Sequence, residues 1–120
     1  MRNMSFFHTQ EQIRAGTKTE TTRKGWGFLK VGDMVMACVK CQGLGKGGKV
    51  ERIRSIRILK VERIYITLKY YSRINVINEG YPELDPYDFI KKILIKKCGF
   101  KYGYSVNRII FEYIKDADDQ

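Results

Sequence analysis

The stretch Gly16-Thr-Lys-Thr-Glu-Thr-Thr-Arg23, called here the Thr-rich segment (residues 16–23), is polar throughout and has no apolar face. Because β-branched residues favour extended backbone over helix, this segment predicts an extended loop or an edge strand. The residues before it, Gln10–Ala15, predict a short helix with Thr9 as N-cap in a capping box with Gln12. Glycine commonly ends helices, so we expect this helix to stop at Gly16.

Four further segments have the composition of strands. They are residues 4–8, 34–41, 50–66 and 105–114, and the third is long enough for one or two strands. The apolar residues of that third segment change phase. We therefore expect a bulge or turn near Ser55 or Lys60.

A second helix is predicted from Asp85, as N-cap, and Pro86, at the first helical position, to about Lys97. Short strands joined mostly by turns, with two separated helices, indicate an α+β fold. We expect a small β-barrel of five to six mixed strands flanked by two main helices. The length suits a single domain over residues 1–120, with a core at about 4–114 and a frayed acidic tail.

The charge favours a polyanionic partner. Lys and Arg number 23 against 13 Asp and Glu, which gives a net charge of +10. Such an excess attracts nucleic acids and nucleotides, although an acidic protein is an alternative partner. Two candidate phosphate-binding surfaces follow, one within residues 46–63 and one on the second helix. They contain Lys46, Lys49, Arg52 and Arg54, of which the two arginines are expected on one strand face, and Lys91, Lys92, Lys96 and Lys97.

The sequence also indicates where the chain acts. No apolar stretch approaches the roughly 20 residues of a membrane-spanning helix, and the first residues lack the apolar region of a signal peptide. The odd number of cysteines, three, argues for a reducing compartment rather than a disulfide scaffold. We expect a cytoplasmic protein without contact to a membrane, and a monomer.

Two motifs are typical of other functions but lack their context. Gly43, Gly45 and Gly48 have G-x-G-x-x-G spacing, yet a strand rather than a helix follows, so we interpret them as a hairpin turn. Cys38 and Cys41 have C-x-x-C spacing, but residues three apart in a strand face opposite sides. We predict buried thiols and neither a metal nor another cofactor.

The Thr-rich segment combines four threonines with one lysine and one arginine. These side chains offer hydroxyl groups and cations to a small anionic or amide-bearing ligand. They also provide a hydroxyl nucleophile with a nearby amine base, an arrangement that catalysis uses without histidine. Lys18 and Thr21 converge only if the backbone turns between them, and a Thr-rich edge strand without a site is the alternative.

The pattern Gly16, Lys18, Thr19, Thr21 and Arg23 after a helix resembles the ASCH domain of the PUA-like superfamily. Three further stretches are similar to that family: Phe28-Leu-Lys-Val-Gly-Asp33, Glu79-Gly-Tyr-Pro-Glu-Leu84 and Arg108-Ile-Ile-Phe-Glu-Tyr113. The resemblance spans roughly residues 4–114. It implies a barrel whose cleft is lined by the Thr-rich segment and a function that involves RNA.

Some single-domain members of the family remove the acetyl group of N4-acetylcytidine. The resemblance implies that Thr21 attacks the amide carbonyl, Lys18 takes its proton and Glu79 binds the amine. From the chemistry of the segment, the hydroxyl groups of Thr19 and Thr22 and the guanidinium of Arg23 are expected to contact the ligand. The expected ligand is RNA or a modified nucleoside, with DNA as a further candidate. The alternatives are a ribonuclease and a non-catalytic nucleic-acid-binding regulatory module.

Overall fold

Five strands form one mixed sheet in the computed structural model, which describes residues 1–41 and 48–115. They are β1 (Arg2–Ser5), β2 (Glu20–Arg23), β3 (Met34–Cys38), β4 (Arg52–Tyr65) and β5 (Ser105–Tyr113). Their order across the sheet is β1-β3-β4-β5-β2, with β1 parallel to β3 and all other neighbours antiparallel. The sheet curls into a half-barrel, which confirms the predicted α+β, PUA-like fold.

Both predicted helices are confirmed. Helix α1 spans Gln10–Ala15 and ends at Gly16, whose φ of 76° lies in the left-handed region. The last helix, α3, starts with one α-helical turn at Pro86–Asp88 and continues with π-type hydrogen bonds over Phe89–Lys97. Its N-cap is Asp85, whose side chain accepts a hydrogen bond from the Asp88 amide at 2.7 Å, as the sequence predicts.

Helix α2 (Arg73–Asn78) is not predicted by the sequence analysis. It begins with a capping box in which Ser72 accepts from the amide of Asn75, while the Asn75 side chain accepts from the Ser72 amide. Asparagine takes the position that glutamate or glutamine occupies in the usual form of this motif, which hides the signal.

The predicted bulge lies in β4, where the pairing with β5 shifts between Ile58 and Lys60 and leaves Leu59 unpaired. The extra residue changes which side of the sheet the following side chains face. Before it, Ile58 packs into a core with β1, β3 and α1; after it, Ile64 packs into a second core under α2 and α3. The sheet therefore buries apolar residues on both faces.

Strand β2 lies at the free edge of the sheet, where it pairs only with β5. The Thr-rich segment thus contains an edge strand, one of its two predicted conformations. Two other strand predictions run too far along the chain. Strand β1 ends at Ser5 because Phe7–Thr9 form a 3-10 turn, and Thr9 makes no side-chain cap, so the predicted capping box is wrong. Strand β3 ends at Cys38 rather than residue 41.

Candidate functional site

A cleft of about 340 Å³ opens beside the free edge of β2. Lys18, Thr21 and Arg23 of the Thr-rich segment line it, together with Glu79, which follows α2. Phe6 and Leu94, one from each core, form apolar parts of its wall. The cleft therefore collects five of the side chains that the sequence predicts for ligand binding or chemistry: Lys18, Thr21, Arg23, Glu79 and Lys97 of α3.

Lys18 and Glu79 form a buried ion pair at the base of this cleft. Lys18 Nζ lies 3.0 Å from Glu79 Oε1 and 2.6 Å from the main-chain oxygen of the same residue. Each side chain is only 4% exposed. Removing two charges from water costs free energy that a single contact does not recover, so such pairs need several hydrogen bonds.

The backbone around Lys18 is fixed on three sides. The amides of Thr17 and Lys18 both donate to the carbonyl of Gln12, so the end of α1 turns the chain into the segment. The amide of Thr19 donates to the Asn78 carbonyl at 2.8 Å, which joins the segment to α2. The hydroxyl of Tyr113 on β5 donates to the Lys18 carbonyl. The turn that Lys18 and Thr21 need to share one cleft is thus supplied by the helix end.

Glu79 is held by the end of helix α2. It is the C-cap residue of that helix, and its amide donates to the Asn75 carbonyl. Gly80 follows with a φ of 104°, a backbone conformation that L side chains rarely adopt. A Cβ on Gly80 would meet Gln12 Cγ at 3.0 Å. Gly80 therefore lets the chain leave the helix in close contact with α1.

Thr22 holds the second carboxylate oxygen of Glu79. Its Oγ1 lies 2.7 Å from Glu79 Oε2 and 2.7 Å from the hydroxyl of Tyr71. Thr22 alternates with Thr21 along β2, and it is not among the residues that line the cleft. The structure thus places Thr22 behind Glu79, where it orients the carboxylate.

Thr21 and Arg23 contact each other on the cleft side of β2. Arg23 Nε donates to Thr21 Oγ1 at 3.2 Å, and Arg23 Nη2 donates to the Ser5 carbonyl at 2.6 Å. The guanidinium also lies over the Phe6 ring, 4.6 Å from its centroid. Because Thr21 Oγ1 accepts this hydrogen bond, its own proton is available for donation toward the cleft.

Burial lowers the pKa of two cations in the cleft. Desolvation lowers the pKa of Lys18 below its ordinary value, although the charge and hydrogen bond of Glu79 oppose this shift. Burial likewise lowers the pKa of Arg23 to about 10. Because its pKa is lowered, the Lys18 ammonium of the ion pair gives up its proton at a lower pH than an ordinary lysine does. The neutral amine formed in this way can accept a proton.

A second buried charge network lies behind β2 and is not predicted by the sequence. Glu20 receives a hydrogen bond from Asn75 Nδ2 at 3.1 Å, and Arg108 Nε lies 3.4 Å from Glu20 Oε1. Arg108 also reaches Glu62 at 3.1 Å. Burial, followed by the charge of Glu79, raises the pKa of Glu20 to about 7. Glutamate and arginine on strands usually face solvent, so no sequence pattern marks this network.

Lys97 of α3, on a predicted phosphate-binding surface, also lines the cleft, whereas Thr19, Lys49, Arg52 and Arg54 lie outside its lining. The main chain of Thr19 forms hydrogen bonds with α2 and β5, and Lys49 is exposed before β4.

Arg54 lies over the Tyr113 ring, 4.2 Å from its centroid. A register shift sets Arg54 opposite Ala37 and Arg52 opposite Cys38. Consecutive residues face opposite sides of a strand, so the predicted shared face of Arg52 and Arg54 is wrong. Lys46, Gly43 and Gly45 lie outside the described residues.

The cysteines and tyrosines are also placed by the structure. Within residues 1–41 and 48–115, no group of three or more His, Cys, Asp or Glu side chains is suited to hold a metal ion. Cys38 is buried, as predicted, and burial raises its pKa to about 11. Cys41 is only half-buried, so the prediction of a buried thiol is wrong there. Tyr71 is buried against Phe89, whereas Tyr102 is exposed. None of the helices in the described part of the chain is long and apolar enough to cross a membrane.

The chain has an α+β fold similar to that of ASCH domains. Solved structures with a similar fold include the following two. One is protein EF3133 from Enterococcus faecalis V583, of family DUF984, with a TM-score of 0.65 and 14% identity over 95% of this chain and 76% of that one. The other is an ASCH domain from Lactobacillus crispatus JV V101, with a TM-score of 0.59 and 15% identity over 93% and 78%. The resemblance seen in the sequence motifs is thereby confirmed for the fold.

No family model matches the chain, and no curated protein matches it. At identities of 14% and 15%, the similarity concerns the fold alone.

Proposed function

We propose that the chain is an ASCH-type RNA- or nucleoside-binding protein whose cleft removes the acyl group from N4-acetylcytidine-like nucleosides. One observation carries this proposal: the buried Lys18–Glu79 pair, joined at 3.0 Å, borders the same cleft as the hydroxyl of Thr21. A nucleophile, a base of lowered pKa and a carboxylate in one water-accessible cleft form a set suited to acyl transfer.

In the proposed reaction, Thr21 Oγ attacks the carbonyl carbon of the acylated N4 amide while neutral Lys18 takes the hydroxyl proton. The C–N4 bond then breaks, and Lys18 returns the proton to the departing cytosine amine, which Glu79 binds. Water hydrolyses the acyl ester on Thr21 to release acetate. The lowered pKa of Lys18 supports its part as proton acceptor.

Arg23 supports the nucleophile in this scheme. Its Nε–H donates to Thr21 Oγ1, and a charged donor at this atom stabilises the negative charge that develops as the proton leaves. The main-chain and ring contacts of Arg23 with Ser5 and Phe6 hold the guanidinium in that orientation. The donor is therefore in place before the substrate arrives.

The test incubates N4-acetylcytidine with the purified protein and measures the cytidine and acetate formed by chromatography. Product that increases in proportion to enzyme concentration supports the proposal. No turnover at high enzyme concentration rejects the enzymatic part and leaves binding alone.

The second candidate function is nucleic-acid binding without turnover. The net charge of +10 and the exposed lysines of α3 favour it. It predicts an affinity for RNA that falls linearly with the logarithm of salt concentration, and no product. A ribonuclease is distinguished from it by cleavage of single-stranded RNA without metal, which Lys18→Ala removes. Cytoplasmic location and the monomeric state stay predictions of the sequence.

A further inference from the structure

We propose that the cleft takes its nucleoside from within single-stranded RNA, because a second cavity beside it is built to hold the neighbouring nucleotide. This inference rests on the proposed function and names its substrate class. The second cavity has a volume of about 400 Å³. Ser5, Phe7 and Arg23 line it and also line the cleft, so the two spaces share one wall.

The volumes fit one nucleotide unit in each space. At about 340 Å³ and about 400 Å³, both lie at the lower end of the range for small-molecule sites. A free nucleoside occupies only the cleft and leaves the second cavity to water. Two linked nucleotides fill both, with their phosphodiester at the shared wall.

Arg23 stands where that phosphodiester would lie. A guanidinium has five N–H donors. Among the described residues, Arg23 Nε donates to Thr21 Oγ1, and one Nη2 hydrogen donates to the Ser5 carbonyl. The remaining donors suit a phosphate at the boundary of the two spaces, because arginine matches phosphate oxygens in geometry and charge. Arg23 thus both orients Thr21 and faces the RNA strand that carries the substrate nucleoside.

The second cavity itself combines a cation with aromatic rings. Lys40 Nζ lies 6.0 Å from the centroid of the Phe7 ring, which is 52% exposed, and Trp26 forms part of the lining. Asn3 adds an amide. Exposed aromatic rings with lysine or arginine beside them are how single-stranded nucleic acids are bound, since each base stacks and each phosphate pairs.

Trp26 makes the proposal measurable without catalysis, because it is the only tryptophan of the chain. The experiment titrates the full chain with cytidine and with an unmodified RNA trinucleotide that has cytidine at its centre. We expect the trinucleotide to change Trp26 fluorescence and to bind at least about tenfold more tightly than cytidine, as one stacked base contributes. Cytidine is expected to leave the fluorescence nearly unchanged.

Lys40→Ala is the informative variant, because Lys40 lines the second cavity and is exposed, so its loss does not disturb the core. It is expected to weaken trinucleotide binding several-fold and to leave cytidine binding unchanged. Lys69→Ala, which removes the same charge from the exposed 3-10 turn Leu68–Tyr70, is the matched control and should change neither. A DNA trinucleotide of the same sequence shows whether the ribose contributes.

Equal affinity for cytidine and trinucleotide, or Lys40→Ala without effect on the trinucleotide, overturns this inference. The binding result does not depend on turnover, so absence of hydrolysis rejects the enzymatic proposal and leaves this inference standing. Conversely, free N4-acetylcytidine and the acetylated trinucleotide could be hydrolysed with the same kcat/KM, and Lys40→Ala could leave both values unchanged. That result rejects the second cavity as a nucleotide site and leaves the enzymatic proposal standing.

Discussion

Lys18 Nζ contacts Glu79 through both its carboxylate and its main-chain oxygen, at 3.0 Å and 2.6 Å, although 61 residues separate the two in sequence. The contact joins the Thr-rich segment to the end of helix α2 and buries both charges. Stability and the proposed function therefore depend on the same pair.

The first prediction concerns the stability of this pair. Lys18→Met leaves the Glu79 carboxylate buried without its cation, and we expect it to cost about 3–5 kcal/mol of unfolding free energy. Lys18→Met combined with Glu79→Gln removes both charges and should cost clearly less than the sum of the single variants. Urea denaturation of the four proteins measures this coupling.

A surface ion pair provides the control for that cycle. Arg57 and Glu112 lie 3.3 Å apart and are each nearly half exposed. Arg57→Met should cost less than about 1 kcal/mol, because solvent screens such pairs. Losses that simply add at Lys18 and Glu79, as for independent sites, would contradict the importance of their contact.

The second prediction concerns pH. The pKa of Glu20 is raised from its ordinary 4.5 to about 7, by burial and by the charge of Glu79. The folded state therefore binds the Glu20 proton more tightly than the unfolded state does. The stability that this group contributes is present below about pH 4.5 and is lost as the pH rises through 7.

Thermal unfolding at pH 5.5 and pH 8 tests this sign. Glu20→Gln should reduce the loss of stability between these pH values. Glu62→Gln is the control: burial tends to raise the pKa of Glu62, but hydrogen bonds from Arg108 and Lys60 lower it overall. Its titration lies below this range, so the variant should leave the difference unchanged. If Glu20→Gln leaves the pH dependence of stability unaltered, Glu20 is not the group that causes it.

The third prediction concerns the glycine that follows Glu79. Gly80→Ala and Gly32→Ala both place a side chain at positive φ, at 104° and 94°, which costs about 1–2 kcal/mol. Only the Cβ at Gly80 also meets Gln12, at 3.0 Å, while nothing lies within 4 Å at Gly32. Gly80→Ala should therefore lose more stability in urea and should also lower turnover, because Glu79 shifts. Equal losses at both positions would argue against the contact with Gln12.

The fourth prediction concerns Arg23. Arg23→Lys keeps the charge but has no planar fork, so it cannot contact Thr21 and Ser5 in the same way. We expect kcat for N4-acetylcytidine to fall on the order of 10²-fold, the usual effect of losing one preorganised donor. KM should change little. Arg63→Lys, at an exposed position on β4, is the matched control. A change in KM alone would mean that Arg23 only binds substrate.

Much of the fold could be predicted because local signals decide it. The end of α1 at Gly16, the cap of α3 at Asp85 and the bulge near Lys60 all have local causes that the sequence displays. Helix α2 could not be predicted, since its capping box uses Asn75 and its six residues give too little periodicity. The convergence of Lys18 with Glu79 was accessible only through the family resemblance.

The roles of individual threonines depend on tertiary contacts. The sequence treats Thr19 and Thr22 alike as ligand-binding candidates, but the alternation of β2 turns Thr22 toward Glu79 and Tyr71. The network around Glu20 and Arg108 was missed for a similar reason. No local sequence pattern predicts that charged residues on a strand are buried. Here Glu20 pairs with Arg108 and receives a hydrogen bond from Asn75 of α2, a tertiary contact that the local sequence does not show.

The most direct test of the central claim compares cytidine release from N4-acetylcytidine by the wild type, Thr21→Ala and Thr17→Ala. Thr17 lies in the same segment, is exposed and is outside the cleft lining. Thr17→Ala therefore removes the same hydroxyl and methyl groups as Thr21→Ala, but away from the cleft. We expect Thr21→Ala to lower kcat by about 10³-fold or more, as loss of a nucleophile does, and Thr17→Ala to keep the wild-type rate. A Thr21→Ala rate within about tenfold of the wild type, or no cytidine from the wild type itself, would contradict the proposed nucleophile.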